Sequence, residues 1–505
     1  MLNSIRRSLK DSLIYGLGNM AVKVVGLLLI PLYTDRKYFS VDDFGVLGVL
    51  EISGLVLTAL LASALPQSLT RWYWDKEYAG RQKGLFFMTF ATQLAISLLF
   101  CAVLIPLSES LSLMIFSKPD WQKVITWVIL ASAIQSVNNI INSLMRLQSK
   151  SVLYTATNLF KLTAVLLLTV YFIVNRKMGL EGIFLAQVIG NSAVVLFLSV
   201  YVIRNSALYF SFPLFREMNA YGFPLFMANI ATVMLNVVDR YSLNSQDLLK
   251  SVALYTLAFK ITSVLKLVIV DSVKLAVGPL MFRKLGSPDA KRFYSKVLLY
   301  SSWVLMLGII AVSVFSYEVI KVMAKSKEFW GAVAIVPILA LSVFFVNMKD
   351  IAIYGLHFEK RTRTIGLIVV ASTLIALALN LLLIPRLGIS GAALATLLSQ
   401  LFYWYACLHF AQKAYYIPYE KTKIALILVT GTVLSFSGIL MNGLELLPRL
   451  LLKSAALASF PFILYLLGFY ETAEIQAITG FIRKWGRISH LRQNIKTLKG
   501  IGEEY

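Results

Sequence analysis

Three lysines lie in stretches of sequence where water is scarce. Lys23 falls near the middle of an apolar run from about Leu13 to Tyr33, and Lys260 and Lys266 fall inside another from about Val252 to Leu275. A charge at the centre of a membrane-spanning helix costs roughly 2.5–3.5 kcal/mol on insertion scales. At about 1.5 Å of rise per residue, Lys23 is roughly 15 Å from either end of its run, too far for its stem to carry the ammonium into headgroup water. Such groups are tolerated where they face a wet cavity inside a helix bundle. A cavity lined by cations suits an anionic passenger, which each lysine would meet as a point charge rather than as a bidentate fork.

Amides accompany the cations. In the fourth apolar run Ser132, Gln135, Asn138, Asn139, Asn142 and Arg146 recur at spacings that place them along one side of a helix. Asn229, Thr232, Asn236 and Arg240 repeat the theme in the seventh run, Asn158 with Lys161 in the fifth, and Asn19 one turn before Lys23 in the first. Amides donate and accept at once, which matches the hydroxyls of a sugar. The alternative use of an intramembrane amide is glue between helices, worth only about 0.6 kcal/mol per contact on average. Three carboxylates, Glu51, Asp239 and Asp350, are candidates for coupling transport to a proton or sodium ion, and equally for pairing with a nearby lysine or arginine. Asp271 and Lys274, three residues apart, are expected to pair with each other.

The elements that must hold these residues follow from composition. The chain has 505 residues, of which 58% are hydrophobic and only 14% charged, so it is built for hydrocarbon. Roughly fourteen runs of about 20 apolar residues recur from end to end, each able to cross about 30 Å of bilayer core. They must be helices, because backbone groups cannot stay unpaired in lipid. The first run is too long and too polar for a signal peptide and is expected to be retained. Cys101 and Cys407 both fall within spans and carry no pairing information.

The net charge of +23 is mostly topological. Arg71, Lys76, Arg81 and Lys83 crowd the second loop and Arg283, Lys284, Lys291, Arg292 and Lys296 the eighth, whereas the first loop balances Asp35, Arg36 and Lys37 with Asp42 and Asp43. This is the positive-inside pattern, and it places both termini in the cytoplasm. A nucleic-acid partner is not expected. Beyond Tyr470 a helix with Ile475, Ile478, Ile482, Trp485, Ile488 and Leu491 on one side and bases between them is expected to lie on the anionic leaflet. It could also dock a glycan polymerase or assembly protein.

The chain is internally duplicated. Gly179, Gly182 and Ala186 match Gly388, Gly391 and Ala395 at a constant offset of 209, Asn138 matches Asn347, and Asp35-Arg36 after the first span matches Asp239-Arg240 after the seventh. Two six-helix bundles in tandem and parallel orientation are expected, with the passenger's path between them. The fold class is therefore an all-α polytopic membrane protein of about fourteen transmembrane helices, two tandem six-helix lobes around a central cavity plus two C-terminal helices. The expected divisions are 1–208 (helices 1–6), 209–419 (helices 7–12), 420–470 (two further spans) and 471–505 (the basic tail).

These segments carry a family resemblance. The stretch YGLGNMAVKVVGLLLIPLYTDRKYFSVDDFGVLGVL, the Asp-Arg-Tyr followed later by ALYTLAFKI, and NLLLIPRLGISGAALATLLSQ resemble the polysaccharide transporters of the multidrug/oligosaccharidyl-lipid/polysaccharide exporter superfamily, over nearly the whole chain to about Tyr470. The O-antigen and exopolysaccharide repeat-unit flippases are most similar. The resemblance implies movement of an undecaprenyl-pyrophosphate-linked oligosaccharide from the inner to the outer leaflet of a bacterial cytoplasmic membrane. It also implies cations on the first, second and eighth helices, and here the sequence departs by placing Glu51 in the second.

Rival functions are weighed by chemistry. A drug or metabolite antiporter would share the architecture, but intramembrane cations repel cationic passengers. A flippase for a lipid-linked peptidoglycan precursor remains an alternative. A membrane glycan polymerase needs catalytic groups on a sizeable outer loop, and the outer loops here are short. His357, His409 and His490 lie far apart with no triad or metal-ligand spacing, and no phosphate-binding glycine loop is present. Neither a metal nor a cofactor is expected, and the protein is not expected to be an enzyme.

Overall fold

The computed structural model describes residues 26–62, 65–246, 248–472, 474–476 and 479. Asn19, Lys23 and nearly all of the basic tail lie outside the described residues. Among the described residues twelve helices are long and apolar enough to cross a membrane: α1 Val41–Leu61, α2 Gln82–Leu104, α3 Pro119–Leu147, α4 Ser151–Asn175, α5 Gly179–Phe197, α6 Phe212–Leu235, α7 Leu249–Arg283, α8 Ala290–Val314, α9 Lys327–Phe358, α10 Thr362–Ala414, α11 Lys421–Leu440 and α12 Leu446–Leu466. The 53-residue α10 is two helices joined at Gly388, whose φ of 54° and ψ of −132° interrupt the helical path. A side chain at that φ would be strained, so glycine is required there. The chain is thus a multi-pass membrane protein, and its helix count agrees with the expected figure of about fourteen.

Local sequence sets where helices begin and how closely they pack. Ser40 starts α1 with a capping box: its hydroxyl accepts from the Asp43 backbone N–H at 3.1 Å while the Asp43 carboxylate accepts from the Ser40 N–H at 2.8 Å. Along α1, Gly45 and Gly48 bring the backbone against α7, where any Cβ would collide with the Leu249 carbonyl and the Thr256 hydroxyl. That close approach makes α1 and α7 the seam between two groups of helices. On one side α1 packs against α3, α3 against α2 and α5, and α5 against α4. On the other, α7 packs against α9, and α9 against α8 and α10.

The last two helices are fixed to α8 and its neighbours at both ends. Lys453 on α12, fully buried, donates to Glu318 at 2.7 Å and to the Asn442 side-chain oxygen at 2.7 Å. At the opposite end Lys296 and Lys423 converge on Glu420, at 3.0 and 2.8 Å, and on Glu471. The hydrogen bonds from Lys296 and then Lys423 push the Glu471 carboxyl down to about 2. Side chains such as Leu98, Leu196, Leu374, Val433 and Phe462 remain exposed on the perimeter, where lipid would cover them.

Candidate functional site

The seam is bridged at mid-depth by an ion pair. Glu51 of α1 accepts from the Lys260 ammonium of α7 at 2.8 Å, and the Tyr33 and Phe44 rings each stand 5.6 Å from that ammonium. The two side chains keep 32% and 17% of their exposure, so the pair sits at the edge of the water-accessible space rather than in a dry core. They are 209 residues apart, the same offset that relates Gly179 to Gly388. Positions equivalent by internal duplication can touch only on the pseudo-twofold axis relating the repeats. One residue is an acid and its counterpart a base, so they attract. Two residues on, Ser53 shares a hydrogen bond of 2.9 Å with Tyr241, which stands just before α7 in the chain.

Beside this pair, α1, α3 and α5 enclose a cavity of about 350 Å³. Its polar wall is Glu51 and Thr58 from α1, Ser132 and Gln135 from α3, and Gln187 and Asn191 from α5. Gln135 accepts from Lys161 of α4 at 3.0 Å and donates to Asn139 at 2.9 Å, which fixes its amide. Ser132 donates to the Gly54 carbonyl at 3.2 Å. Phe184, almost wholly buried, borders the same space.

Across the seam a second pocket, of about 60 Å³, lies among α6, α7, α9 and α10. Asn236, Asp239, Lys266, Ser342, Thr396 and Gln400 are its polar wall. Lys266 opens a π-helical turn, Lys266–Val270, a local widening often found at functional positions. Asp239 is buried and accepts from the Tyr255 hydroxyl, from the Arg240 backbone N–H at 2.7 Å and from Thr396 at 3.4 Å. The Arg240 guanidinium stands 3.7 Å from the Asp239 carboxylate and stacks 4.1 Å over Phe259.

The other expected site residues are placed as follows. Asn138 is buried and donates to the Asn191 carbonyl at 3.1 Å, a contact between helices. Arg146 is exposed and donates to Ser143 of its own helix at 3.0 Å. Asn142 and Asn229 are half-buried and line neither cavity. Asn236 lines the smaller pocket and donates back to the Thr232 carbonyl at 2.6 Å. The pairing expected between Asp271 and Lys274 is replaced: Lys274 reaches Asp350 of α9, at 3.9 Å, and Asp350 also pairs with Lys349. Sequence reasoning missed Thr58, Gln187, Asn191 and Gln400. Shifting Gln187 and Asn191 by 209 lands on Thr396 and Gln400, a signal that was available.

One end of the seam is closed by the loops expected to lie outside. Lys325 pairs with Asp35 at 2.8 Å, Arg36 pairs with Glu328, and the Lys325 backbone N–H donates to Thr34 at 3.2 Å. Phe44 meets Phe329 edge-on beneath them, with ring centroids 5.3 Å apart. The cavities therefore lie on the other side of a plugged end. Among the described residues no group of three or more His, Cys, Asp or Glu side chains is placed to hold a metal ion.

A family model described as "Polysaccharide biosynthesis protein" matches residues 8–284. No curated protein matches the sequence. Among solved structures the fold is similar to the lipid II flippase MurJ in an inward closed conformation, with a TM-score of 0.73 at 13% identity over 90% of this chain and 99% of that one. It is also similar to an inward-facing multidrug resistance MATE family transporter of the MOP superfamily, with a TM-score of 0.65 at 12% identity over 82% of this chain and 95% of that one. A MOP superfamily transporter from Pyrococcus furiosus, described as having a binding pocket of reversed polarity, gives a TM-score of 0.55 at 14% identity over 83% and 96%. The chain shares the fold of these structures.

Proposed function

We propose that this chain, which belongs to the polysaccharide biosynthesis protein family, is a flippase for undecaprenyl-pyrophosphate-linked oligosaccharide repeat units destined for O-antigen or another exopolysaccharide. The observation that carries the reading is the placement of Lys260 at mid-depth on the seam, next to a cavity walled by amides and hydroxyls. A cation beside neutral hydrogen-bonding groups is the complement of a diphosphate joined to a glycan. Residues 1–208 and 209–419 would act as two lobes that rock about the seam, with 420–470 riding on the second. Both termini would lie in the cytoplasm of a bacterial cell, beneath its cytoplasmic membrane. Lys266 and Lys161, with Lys23, would supply further positive potential to the path.

The energetic task is modest in kind. A glycan and a diphosphate face a prohibitive cost in hydrocarbon, whereas a wet groove keeps them solvated while the polyprenyl tail stays in lipid. An inside-negative potential favours outward movement of an anion by roughly 2.3 kcal/mol per charge per 100 mV. Resetting the empty carrier is the step at which a proton or sodium ion would act. Glu51, Asp239 and Asp350 are the carboxylates for that role, although each has a basic partner.

The similarity to a lipid II flippase fold supports one second reading, a lipid-linked peptidoglycan precursor as passenger. Mass spectrometry of lipid extracts from cells depleted of the protein, with assignment of leaflet, separates the two. A single undecaprenyl-pyrophosphate-linked repeat unit accumulating on the cytoplasmic side is expected. Accumulation of the peptidoglycan precursor would give the second reading instead. Units reaching the outer face unpolymerised would reject flipping.

A further inference from the structure

We infer that the larger cavity is a subsite for one uncharged pyranose, the sugar attached directly to the diphosphate. The inference rests on the reading of the chain as a carrier of diphosphate-linked glycan and adds which sugar is gripped, where, and of what charge. Its volume, about 350 Å³, lies at the small end of the range for ligand cavities, about 300–1,000 Å³. The space suits one ring rather than a whole oligosaccharide.

Hydrogen-bond accounting shows which wall groups are available. Gln135 is committed to Lys161 and Asn139, Ser132 to the Gly54 carbonyl, and Asn191 to the Ala131 carbonyl at 3.4 Å. Among the described residues the side chains of Gln187 and Thr58 have no hydrogen-bond partner, and both face the cavity half-buried. A carboxamide and a hydroxyl left unspent in a confined space are ready for the paired donor and acceptor of sugar hydroxyls.

Charge fixes the class of sugar. Among the described residues no lysine, arginine or histidine lines the cavity, and its one ionisable wall group is the Glu51 carboxylate. A uronic acid would meet that carboxylate, and the two neighbouring ammonium groups are already engaged, Lys260 with Glu51 at 2.8 Å and Lys161 with Gln135 at 3.0 Å. The wall thus offers a second carboxylate no free cation and selects against it. Position follows from the same residue. Glu51 is both the cavity wall and the partner of Lys260 at 2.8 Å, so a diphosphate attracted to Lys260 has its sugar at the cavity mouth.

The test is calorimetric titration of the detergent-purified full chain with four probes: farnesyl diphosphate, farnesyl diphosphate-linked glucose, the glucuronic acid analogue, and UDP-glucose. Glucose is expected to tighten farnesyl diphosphate binding about tenfold, glucuronic acid to give no gain, and UDP-glucose to bind far more weakly for want of the lipid. Gln187→Leu and, independently, the isosteric Thr58→Val are each expected to reduce the glucose gain about threefold while leaving the affinity for bare farnesyl diphosphate unchanged. A gain that survives in both variants, or glucuronic acid bound as tightly as glucose, overturns the subsite. Farnesyl diphosphate bound with no gain from glucose removes the subsite and leaves the carrier reading standing. Failure of both farnesyl diphosphate and its glucose conjugate to bind removes both, and UDP-glucose bound as tightly as its farnesyl counterpart overturns the lipid-linked assignment.

Discussion

On one side of the α1/α7 seam the helices enclose about 350 Å³, and on the other, among counterpart helices, about 60 Å³. Both sides carry polar residues at corresponding positions, with Gln187 and Asn191 facing Thr396 and Gln400 in the duplicated register. What differs is whether those groups are spent on each other. In the smaller pocket Thr396 and Tyr255 both donate to Asp239, and Arg240 lies between Asp239 and the Phe259 ring. Nearby, Asp350 is shared by Lys349 and Lys274. In the larger cavity Gln187 and Thr58 are left over. A duplicated scaffold has been tightened on one side by internal ion pairs and left open on the other. The tight side suits a rigid lever and the open side a holder.

The contrast breaks first at Asp239. Asp239 and Arg240 are 2% and 5% exposed, so Asp239→Leu strands a buried guanidinium, a change expected to cost about 3–5 kcal/mol. Membrane abundance and the thermal unfolding midpoint of the purified protein should both fall. In the open cavity Gln187→Leu should leave the midpoint nearly unchanged, since it removes no internal bond. Equal melting of wild type and Asp239→Leu would show that the smaller pocket is not the structural half.

Second in size is the bridge itself. Lys260→Gln is expected to reduce export of the repeat unit at least tenfold, about 1.4 kcal/mol or more, at unchanged abundance. Lys260→Arg should partly retain export because charge persists while geometry changes. The double exchange Glu51→Lys with Lys260→Glu sharpens the point, because positions on a pseudo-twofold axis can trade partners without moving the charge far. Partial recovery of export by the double variant over Lys260→Gln is expected. Full export by Lys260→Gln would reject the ammonium as a passenger contact.

Much of the helical architecture was readable in the sequence because membrane burial leaves a coarse, long-wavelength signal of recurring apolar runs, and the 209-residue offset pointed to the Glu51 and Lys260 positions that meet. The cavity residues were harder. The polar stripe of α3 attracted notice because six residues recur, yet at 100° per residue Asn138 lies about 120° round the helix from Ser132. Ser132 and Gln135 therefore reach the cavity while Asn138 turns to Asn191. In α5 Gln187 and Asn191 stand four residues apart in a mostly apolar helix, too few to register as a stripe, although they complete the wall. Glu51 is legible only in pairs: alone it departs from the expected basic pattern, and set 209 residues from Lys260 it becomes a partner. Which groups remain unspent depends on helix rotation, and sequence spacing does not set that.

The smallest expected effect concerns the closed end, where the two helix groups meet through exposed ion pairs rather than buried ones. Lys325 with Asp35 and Arg36 with Glu328 are solvent-screened surface contacts, of the kind that contribute little to stability. Removing one should raise the population open at that end by no more than about fivefold. A cysteine replacing Thr256, which sits against Gly48 inside the seam, would report opening by labelling from outside in a background lacking Cys101 and Cys407. Lys325→Ala should increase its labelling modestly, and no increase would place the closure in the Phe44/Phe329 packing instead. The pH dependence has a definite sign. The Lys325 ammonium, then the Lys37 backbone N–H, hold the Asp35 carboxyl below its usual range. Its contribution to closure is thus complete above the ordinary aspartate value of about 3.9 and is lost only as pH falls through the lower folded value. Labelling should therefore be flat from about pH 8 to about pH 5 in both proteins. A rise in wild-type labelling within that window would assign the closure to a group other than Asp35.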